Sequence, residues 1–245
     1  MIKKVKILFG FLFLYLSSAA AQTELRTMTI GMPYRITRNQ ALIEFQNLHA
    51  DFLRDAGFHV VTKTIPATST YEILINGDVD AITYDDLGSK EKRDQVVTLS
   101  FPTIRTRALV FYESAKKINL KKLKKYKGAL TANNVALENK AKEKGLKYIT
   151  TGSPFQSLQL LLEGKIEYFI AIEEVGLASV AAHPEAKGKI AHSEEPFSEV
   201  PIYFSMNKKF KADIPEIEAA LKKRLSGNLD AYPTIKNHLN KTAEK

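Results

Sequence analysis

Two pairs of neighbouring acidic residues and one arginine carry the most evident chemistry in this sequence. Asp85 and Asp86 follow one short apolar run, Glu173 and Glu174 follow another, and Arg93 lies shortly after the first pair. A carboxylate can hold a cationic group or act as a general base, and a guanidinium pairs with a carboxylate through two parallel hydrogen bonds. These residue types therefore indicate either binding of a small charged molecule or acid–base catalysis on one.

The stretches that lead to the two acidic pairs resemble each other. LINGDVDAIT at 74–83 and LLEGKIEYFI at 161–170 each contain a helix end, a glycine and an apolar strand. Repetition of such a unit predicts two similar α/β lobes. In open α/β sheets ligands bind beyond the carboxyl ends of the strands, so we expect a cleft where the chain continues after Thr83 and after Ile172.

Short apolar runs alternate with longer amphipathic segments along the chain, which is typical of an α/β fold. The predicted strands cover 27–32, 58–65, 79–83, 107–112, 128–131, 147–151, 166–172 and 201–206. The predicted helices cover 39–56, 69–77, 135–144, 173–182, 215–225 and 229–239, and one more begins at 153–154. Ser69 and Glu72 fit a capping box at the start of the second helix.

The most specific pattern in the chain extends from Leu74 to Tyr112. After the helix stop at Gly77 come the strand VDAI, a charged turn that ends in Arg93, the motif VTLSFP at 97–102 and the strand RALVFY. This order resembles the extracytoplasmic (periplasmic) solute-binding proteins of amino-acid-type ABC transporters, which have the type II periplasmic binding fold. The resemblance is that of a divergent member and covers nearly all of the chain after residue 21.

The resemblance implies an α/β fold of two similar lobes joined by two crossing strands. Residues 22–110 would form the first part of lobe 1, residues 111–200 lobe 2, and residues 201–245 the return to lobe 1 with the C-terminal helices. A small polar ligand would lie in the cleft between the lobes.

The resemblance also implies roles for individual residues. Arg93 would bind the ligand's α-carboxylate, and Glu173 its ammonium group, with Glu174 as a possible substitute. The other residues implied as ligand-binding are Tyr34, Thr83, Tyr84, Asp85, Asn133 and Asn134.

Several positions depart from the pattern of that family. Asn133 and Asn134 stand where a Gly-Ser/Thr pair normally lets backbone amides reach the carboxylate, and glycine permits a closeness of backbone approach that asparagine does not. The loop before Arg93 is one residue longer than usual and carries Tyr84 and Asp85. These departures are compatible with a ligand other than an ordinary α-amino acid, and with a cleft that no longer binds one.

The first 21 residues have the features of a cleavable secretory signal. They contain a basic start, MIKKVK, ten apolar residues at 7–16, and alanines at 19–21. Ten apolar residues are about half of what a membrane-spanning helix needs. No cysteine follows as a lipid attachment point. We therefore expect export of the mature chain to the periplasm.

Composition excludes several kinds of site. The 245 residues are 44% hydrophobic and 26% charged, as in a globular protein, and the absence of cysteine excludes disulfides, thiolate metal sites and thiol nucleophiles. The five histidines lack metal-ligand spacing, and no dinucleotide, phosphate-loop or nucleophile-elbow motif occurs. The sequence thus predicts no cofactor and no metal, and it offers no nucleic-acid-binding module. The lysine-rich stretch 116–127 is interpreted as a solvated face, with a polyanion-binding or membrane-surface patch as the alternative.

Together with the resemblance, these observations predict a binding protein, not an enzyme, that captures an amino acid or related solute. The resemblance implies that the protein is a monomer and that it presents the solute to a membrane permease of an ABC transporter. One alternative is an enzyme on the same fold, such as a small-molecule dehydratase, with Asp85 or Asp86 as general base. Another is a sensory or scaffold protein whose cleft has lost solute binding.

Overall fold

The computed structural model describes residues 25–33, 40–66, 69–85, 90–116, 118–131 and 134–243. Its strands are β1 (Arg26–Pro33), β2 (Phe58–Ile65), β3 (Ala81–Asp85), β4 (Val96–Thr98), β5 (Ile104–Glu113), β6 (Lys127–Thr131), β7 (Lys147–Thr151), β8 (Tyr168–Ile172), β9 (Ile190–His192) and β10 (Ser198–Asn207). Its α-helices are α1 (Gln40–Asp55), α2 (Thr70–Asn76), α3 (Lys90–Arg93), α4 (Val135–Glu143), α5 (Pro154–Leu162), α6 (Glu173–Ala181), α7 (Ile214–Ser226) and α8 (Pro233–Ala243).

Lobe 1 is built on the strand order β2-β1-β3-β10. The central strand β1 runs parallel to β2 and β3, and the C-terminal half of β10 pairs antiparallel with β3 and β4. Helices α7 and α8 both pack against α1 on this lobe.

Lobe 2 repeats this arrangement in the order β7-β6-β8-β5. Here β6 is the central strand, parallel to β7 and β8, and β5 pairs antiparallel with β8. The short β9 pairs with the end of β5. The two lobes therefore share one topology, as the similarity between their sequences predicts.

Two strands, β5 and β10, cross between the lobes. Ile104–Ala108 of β5 pairs with Ser198–Ile202 of β10, while the remaining part of each strand pairs inside a lobe. The prediction of two similar α/β lobes joined by two crossing strands is confirmed.

The largest buried apolar cluster extends from lobe 1 through the crossing strands into lobe 2. It includes Phe52 on α1, Ile202 on β10, Ala108 on β5 and Leu137 on α4. Successive strand residues point to opposite faces, so this cluster buries one face of the crossing strands. The other face carries Arg105, which is exposed, and Arg107, which is partly exposed.

A glycine turn ends the helix before β3 and recurs before β8. Gly77 has φ 82° and Gly164 has φ 68°, the left-handed region that glycine enters without steric cost. Each glycine N–H donates to the carbonyl three residues back, and the next N–H donates to the carbonyl five residues back. This hydrogen-bond pattern is the Schellman motif of helix C-termini, and it occurs at the same place in both lobes.

Most predicted elements match the observed ones within a few residues, and the differences have local causes. β3 begins at Ala81, two residues late, because the turn after Gly77 extends to Asp80. The predicted capping box does not form, since Ser69 has φ −126° and ψ 23°, outside the usual N-cap region, and makes no capping hydrogen bond. The short elements α3, β4 and β9 were not predicted, because three or four residues carry too little periodicity to be recognised.

The lysine-rich stretch contains a 3-10 helix at Leu120–Lys125. Leu123 is buried there, while the lysines at 121, 122, 124 and 125 are exposed.

Candidate functional site

The carboxyl ends of β3 and β8 point toward each other along the crossing strands. Asp85, the last residue of β3, lies opposite Tyr203 of β10. Ile172, the last residue of β8, lies opposite Ala108 of β5, which pairs in turn with Ser198 of β10. Tyr203 and Ser198 are five positions apart on β10, about 17 Å in an extended strand. The two strand ends therefore lie on either side of a gap that the crossing strands bridge, where the sequence predicts a ligand.

The predicted residues of lobe 1 lie at or beyond the end of β3. Thr83 is buried, and its hydroxyl donates to the Sδ of Met32 at 3.6 Å, so that it links β3 to the end of β1. Tyr84 and Asp85 are the last two residues of β3. Tyr34 lies outside the described residues.

Arg93, the predicted carboxylate ligand, is the last residue of α3. Its side chain is exposed, and within the described part of the chain no hydrogen bond or ion pair holds it. An exposed guanidinium that no described residue holds can bind an anion without first breaking a hydrogen bond or ion pair to one of those residues. Its role in binding stays a prediction.

Asn134, on lobe 2, is the N-cap of α4. Its side-chain oxygen accepts a hydrogen bond from the N–H of Leu137 at 3.2 Å. Asparagine is among the preferred residues at this position, so the sequence did contain a signal for a structural role. The neighbouring Asn133 lies outside the described residues.

Glu173, predicted to receive an ammonium group, is bound by an arginine of the protein itself. Arg107 of β5 donates from Nε to Oε2 of Glu173 at 2.8 Å and from Nη2 to Oε1 at 2.7 Å. The side chains are 27% and 15% exposed, respectively. The hydrogen bonds to Glu173 raise the pKa of the Arg107 guanidinium above its ordinary value, outweighing the opposite effect of burial. The Arg107 guanidinium is therefore charged at neutral pH.

Sequence reasoning did not identify Arg107 as a site residue. The available signal was a basic residue at the start of the apolar run RALVFY, at the point where the strand leaves the crossing region. Because Ala108 pairs with Ile172, the residue before Ala108 is brought next to the first residue of α6.

The neighbouring Glu174 is hydrogen-bonded to the opposite face of β5. The Oγ1 of Thr106 donates to its Oε2 at 2.8 Å. Glu173 and Glu174, the first two residues of α6, thus accept hydrogen bonds from Arg107 and Thr106, which lie on opposite faces of β5. Carboxylates in the first turn of a helix are also stabilised by the helix dipole.

A small, mostly apolar cavity lies beside Thr106 and Glu174, on the buried face of the crossing strands. Its lining consists of Ala41, Leu42, Phe45, Ile104, Thr106, Glu174, Ile202, Thr234 and Ile235. It is bounded by α1 and α8 of lobe 1 together with the start of α6 of lobe 2.

Among the described residues, no group of three or more histidine, cysteine or acidic side chains could hold a metal ion. Nor does the described part of the chain include a helix with the length and apolar character needed to cross a bilayer.

No protein-family model matches this chain, and no curated protein does. Solved structures of other proteins do match this chain. An ancestral arginine-binding protein bound to glutamine is 19% identical, with a TM-score of 0.64, over 86% of this chain and 96% of that one. A histidine kinase sensor domain with similarity to periplasmic binding proteins is 16% identical, with a TM-score of 0.67, over 86% and 95%.

A third structure is the ancestral amino acid-binding protein AncCDT-1, a precursor of cyclohexadienyl dehydratase. It is 14% identical, with a TM-score of 0.64, over 85% of this chain and 94% of that one. These likenesses span almost the whole of each matched chain. The fold is therefore that of the type II periplasmic binding proteins, as the sequence resemblance implied.

Proposed function

We propose that this protein is an exported binding protein that captures a small polar solute, an amino acid or a related carboxylate, in the cleft between its lobes. The observation that carries the proposal is the opposed arrangement of the β3 and β8 ends across the crossing strands. The full-length likeness to an arginine-binding protein supports it.

Binding would proceed by bending at the crossing strands. Among the described strands, β5 and β10 connect the two half-sheets, so a change of twist in this ribbon would move the lobes relative to each other. A ligand that contacts both lobes favours the closed state because it binds that state more tightly. A permease of an ABC transporter would distinguish the closed form from the open one.

Each predicted site residue has a place in this proposal. Arg93 would hold an anionic group of the solute from lobe 1, and Glu173 would contribute to binding from lobe 2. Tyr34 and Tyr84 would cover the solute's apolar part. The polar groups of Thr83, Asp85, Asn133 and Asn134 would complete the site.

The organisation of the whole chain is part of the proposal. Residues 1–21 would act as a cleavable signal for export to the periplasm, and the mature protein would be a monomer. Residues 22–110 and 201–245 would form lobe 1, and residues 111–200 lobe 2.

A sensory function is the second candidate. It is favoured by the likeness to a histidine kinase sensor domain and by the pairing of Glu173 with Arg107, which occupies the acid expected to receive a ligand. An enzymatic function, with Asp85 or Asp86 as general base, rests on the likeness to a dehydratase precursor. Turnover of a bound carboxylic acid would indicate the enzyme.

A thermal-shift screen of the mature protein tests the proposal. The ligands are amino acids, dicarboxylates, polyamines and small peptides, and the variants are Arg93→Ala and the control Arg54→Ala, an exposed arginine of α1. A ligand at about 100 times its Kd stabilises a protein by about 2.7 kcal/mol, which raises Tm by several degrees. We expect a shift in the wild type and in Arg54→Ala that is lost in Arg93→Ala. A folded protein that responds to none of the compounds would contradict the proposal.

A further inference from the structure

The ion pair between Arg107 and Glu173 bears on what kind of solute the cleft can take. The two side chains come from β5, a crossing strand, and from the first residue of α6. The pair therefore lies at the end of β8, on the lobe 2 side of the proposed cleft. The inference below rests on the proposed function.

Both oxygens of Glu173 are engaged by this pair. One accepts from Nε and the other from Nη2 of Arg107, at 2.8 and 2.7 Å, in the two-pronged geometry that matches a guanidinium to a carboxylate. An incoming ammonium group could reach only the remaining lone pairs of Glu173 and would lie beside a guanidinium of the same charge. Its attraction to the carboxylate is weaker for that reason, because Arg107 already neutralises the charge of Glu173. Glu174 does not replace Glu173, since its side chain is bound to Thr106 on the opposite face of β5.

Arg107 still has donors to offer. A guanidinium carries five N–H groups, of which Glu173 takes two. The side chain is 27% exposed, so part of it faces solvent.

The same face of the crossing strands carries further charges. Arg105, two residues before Arg107, is exposed and makes no hydrogen bond or ion pair with a described residue. Glu199 lies opposite Arg107 on β10 and is also exposed. The two arginines and the two glutamates on this face balance in charge. At the end of β3, Arg93 adds one positive charge and Asp85 adds one negative charge.

We propose that the cleft selects a small carboxylate that carries no ammonium group, because Arg107 already occupies Glu173. Arg93 holds one carboxylate of the solute from lobe 1, and the free N–H groups of Arg107 bind the solute's other polar end. Glu173 acts as a positioning residue that orients the guanidinium of Arg107.

Isothermal titration calorimetry with matched pairs of compounds tests this selection. Succinate and aspartate, 2-oxoglutarate and glutamate, and pyruvate and alanine have closely similar carbon skeletons and differ in whether they carry an ammonium group. In the wild type we expect at least one carboxylate to bind roughly tenfold or more tightly than its amino acid counterpart, which is the effect of about one hydrogen bond to a charged group.

Arg107→Met frees the carboxylate of Glu173. We expect this variant to lose affinity for the carboxylate and to prefer the amino acid of the same pair. Arg107→Lys keeps the positive charge but loses the two parallel hydrogen bonds of the guanidinium. Its preference should therefore lie between those of the wild type and Arg107→Met. It replaces Arg107→Met in the test if that variant does not fold. The control Arg54→Met, at an exposed arginine of α1, should leave the wild-type preference unchanged.

The outcomes separate the two proposals. If the wild type binds the amino acid of a pair as tightly as the carboxylate, and Arg107→Met shows the same ratio of affinities, the proposed selection is wrong. Solute binding itself would still be supported. If neither wild type nor variants bind any of the six compounds or those of the thermal-shift screen, both proposals fail.

Discussion

Asp80 and Glu167 make the same two contacts in the two lobes, each three residues after the glycine that ends the preceding helix. The N–H of Asp80 donates to the carbonyl of Thr29 at 2.8 Å, and its Oδ2 accepts from the N–H of Thr29 at 2.8 Å. The N–H of Glu167 donates to the carbonyl of Lys127 at 2.8 Å, and its Oε2 accepts from the N–H of Lys127 at 2.8 Å. Each acid thus attaches its own strand to the central strand of its lobe.

The burial of Asp80 predicts a larger contribution to stability than that of Glu167. Asp80 is 9% exposed and also pairs with Lys209, whereas the contact of Glu167 is exposed. Asp80→Ala should lower the free energy of unfolding by roughly 1–3 kcal/mol, and Glu167→Ala by less. Urea denaturation measures both, with Asp230→Ala, at an exposed ion pair, as control. Equal effects of Asp80→Ala and Asp230→Ala would contradict this prediction.

A buried histidine predicts how stability depends on pH. The ring of His49 is fully buried against Phe45, Phe52 and Phe204, its Nδ1–H donates to the carbonyl of Phe45 at 2.6 Å, and within the described part of the chain Nε2 has no hydrogen-bond partner. Burial lowers the pKa of His49 from 6.5 to about 4. Above pH 6.5 the histidine is neutral in both states and the shift has no effect. Between pH 6.5 and about 4 only the unfolded chain takes up the proton, so stability falls, by roughly 3 kcal/mol at the acid limit.

His49→Leu should remove this part of the pH dependence. Urea midpoints of the wild type and the variant, measured at pH 7 and pH 4.5, give the comparison. We expect the variant to lose less stability on acidification than the wild type. Parallel pH profiles would mean that His49 is not the group responsible.

A buried glutamate connects the first helix to the last. Glu44 of α1 is 1% exposed and accepts hydrogen bonds from the N–H and Oγ1 of Thr234 at 2.7 and 3.1 Å. It thereby satisfies an N–H in the first turn of α8 that no intrahelical carbonyl can reach. Glu44→Ala should cost roughly 2–4 kcal/mol and expose α8 to proteolysis.

A double-mutant cycle with Thr234→Val checks the assignment of Glu44. Valine lacks the hydroxyl that donates to Glu44, so Thr234→Val removes part of the same interaction as Glu44→Ala. The double variant should therefore lose less free energy of unfolding than the sum of the losses in the two single variants. Glu143→Ala, at an exposed glutamate of α4, serves as control for the loss of a carboxylate. Additive effects would show that the two residues are not coupled.

Gly176 allows α6 to pack closely on β5. A Cβ at this position would lie 2.3 Å from the Cζ of Phe111 and would force the helix or the ring to move. Gly176→Ala should therefore cost roughly 1–3 kcal/mol, and since α6 begins with Glu173, it should also weaken solute binding. Gly152→Ala is the control, because its nearest atom would be 3.4 Å away.

Adding Phe111→Leu to Gly176→Ala tests the cause of the damage. The smaller side chain relieves the clash, so the double variant should be more stable than the sum of the two single effects predicts. Thermal unfolding of the four proteins provides the values. A double variant at or below the additive value would point to a cause other than contact with Phe111.

The sequence by itself determined most of the elements and the repeated lobe, and its family resemblance implied the crossing strands. β2 and β7 occupy the predicted residues 58–65 and 147–151, and Gly77 and Gly164 end their helices as predicted. These features depend on side-chain periodicity and on the backbone freedom of glycine, which act over a few residues and can be recognised without knowledge of the fold.

Only the tertiary structure decided which partner each charged residue has. Arg107 and Glu173 are 66 positions apart, and Glu44 and Thr234 are 190 apart. The register of β5 on β8 brings the first pair together, and the packing of α8 on α1 brings the second. A carboxylate can pair with any cation or donor within reach, and reach depends on how the elements pack. For this reason the position of Glu173 at the start of α6 was predictable from the sequence, but its pairing with Arg107 was not.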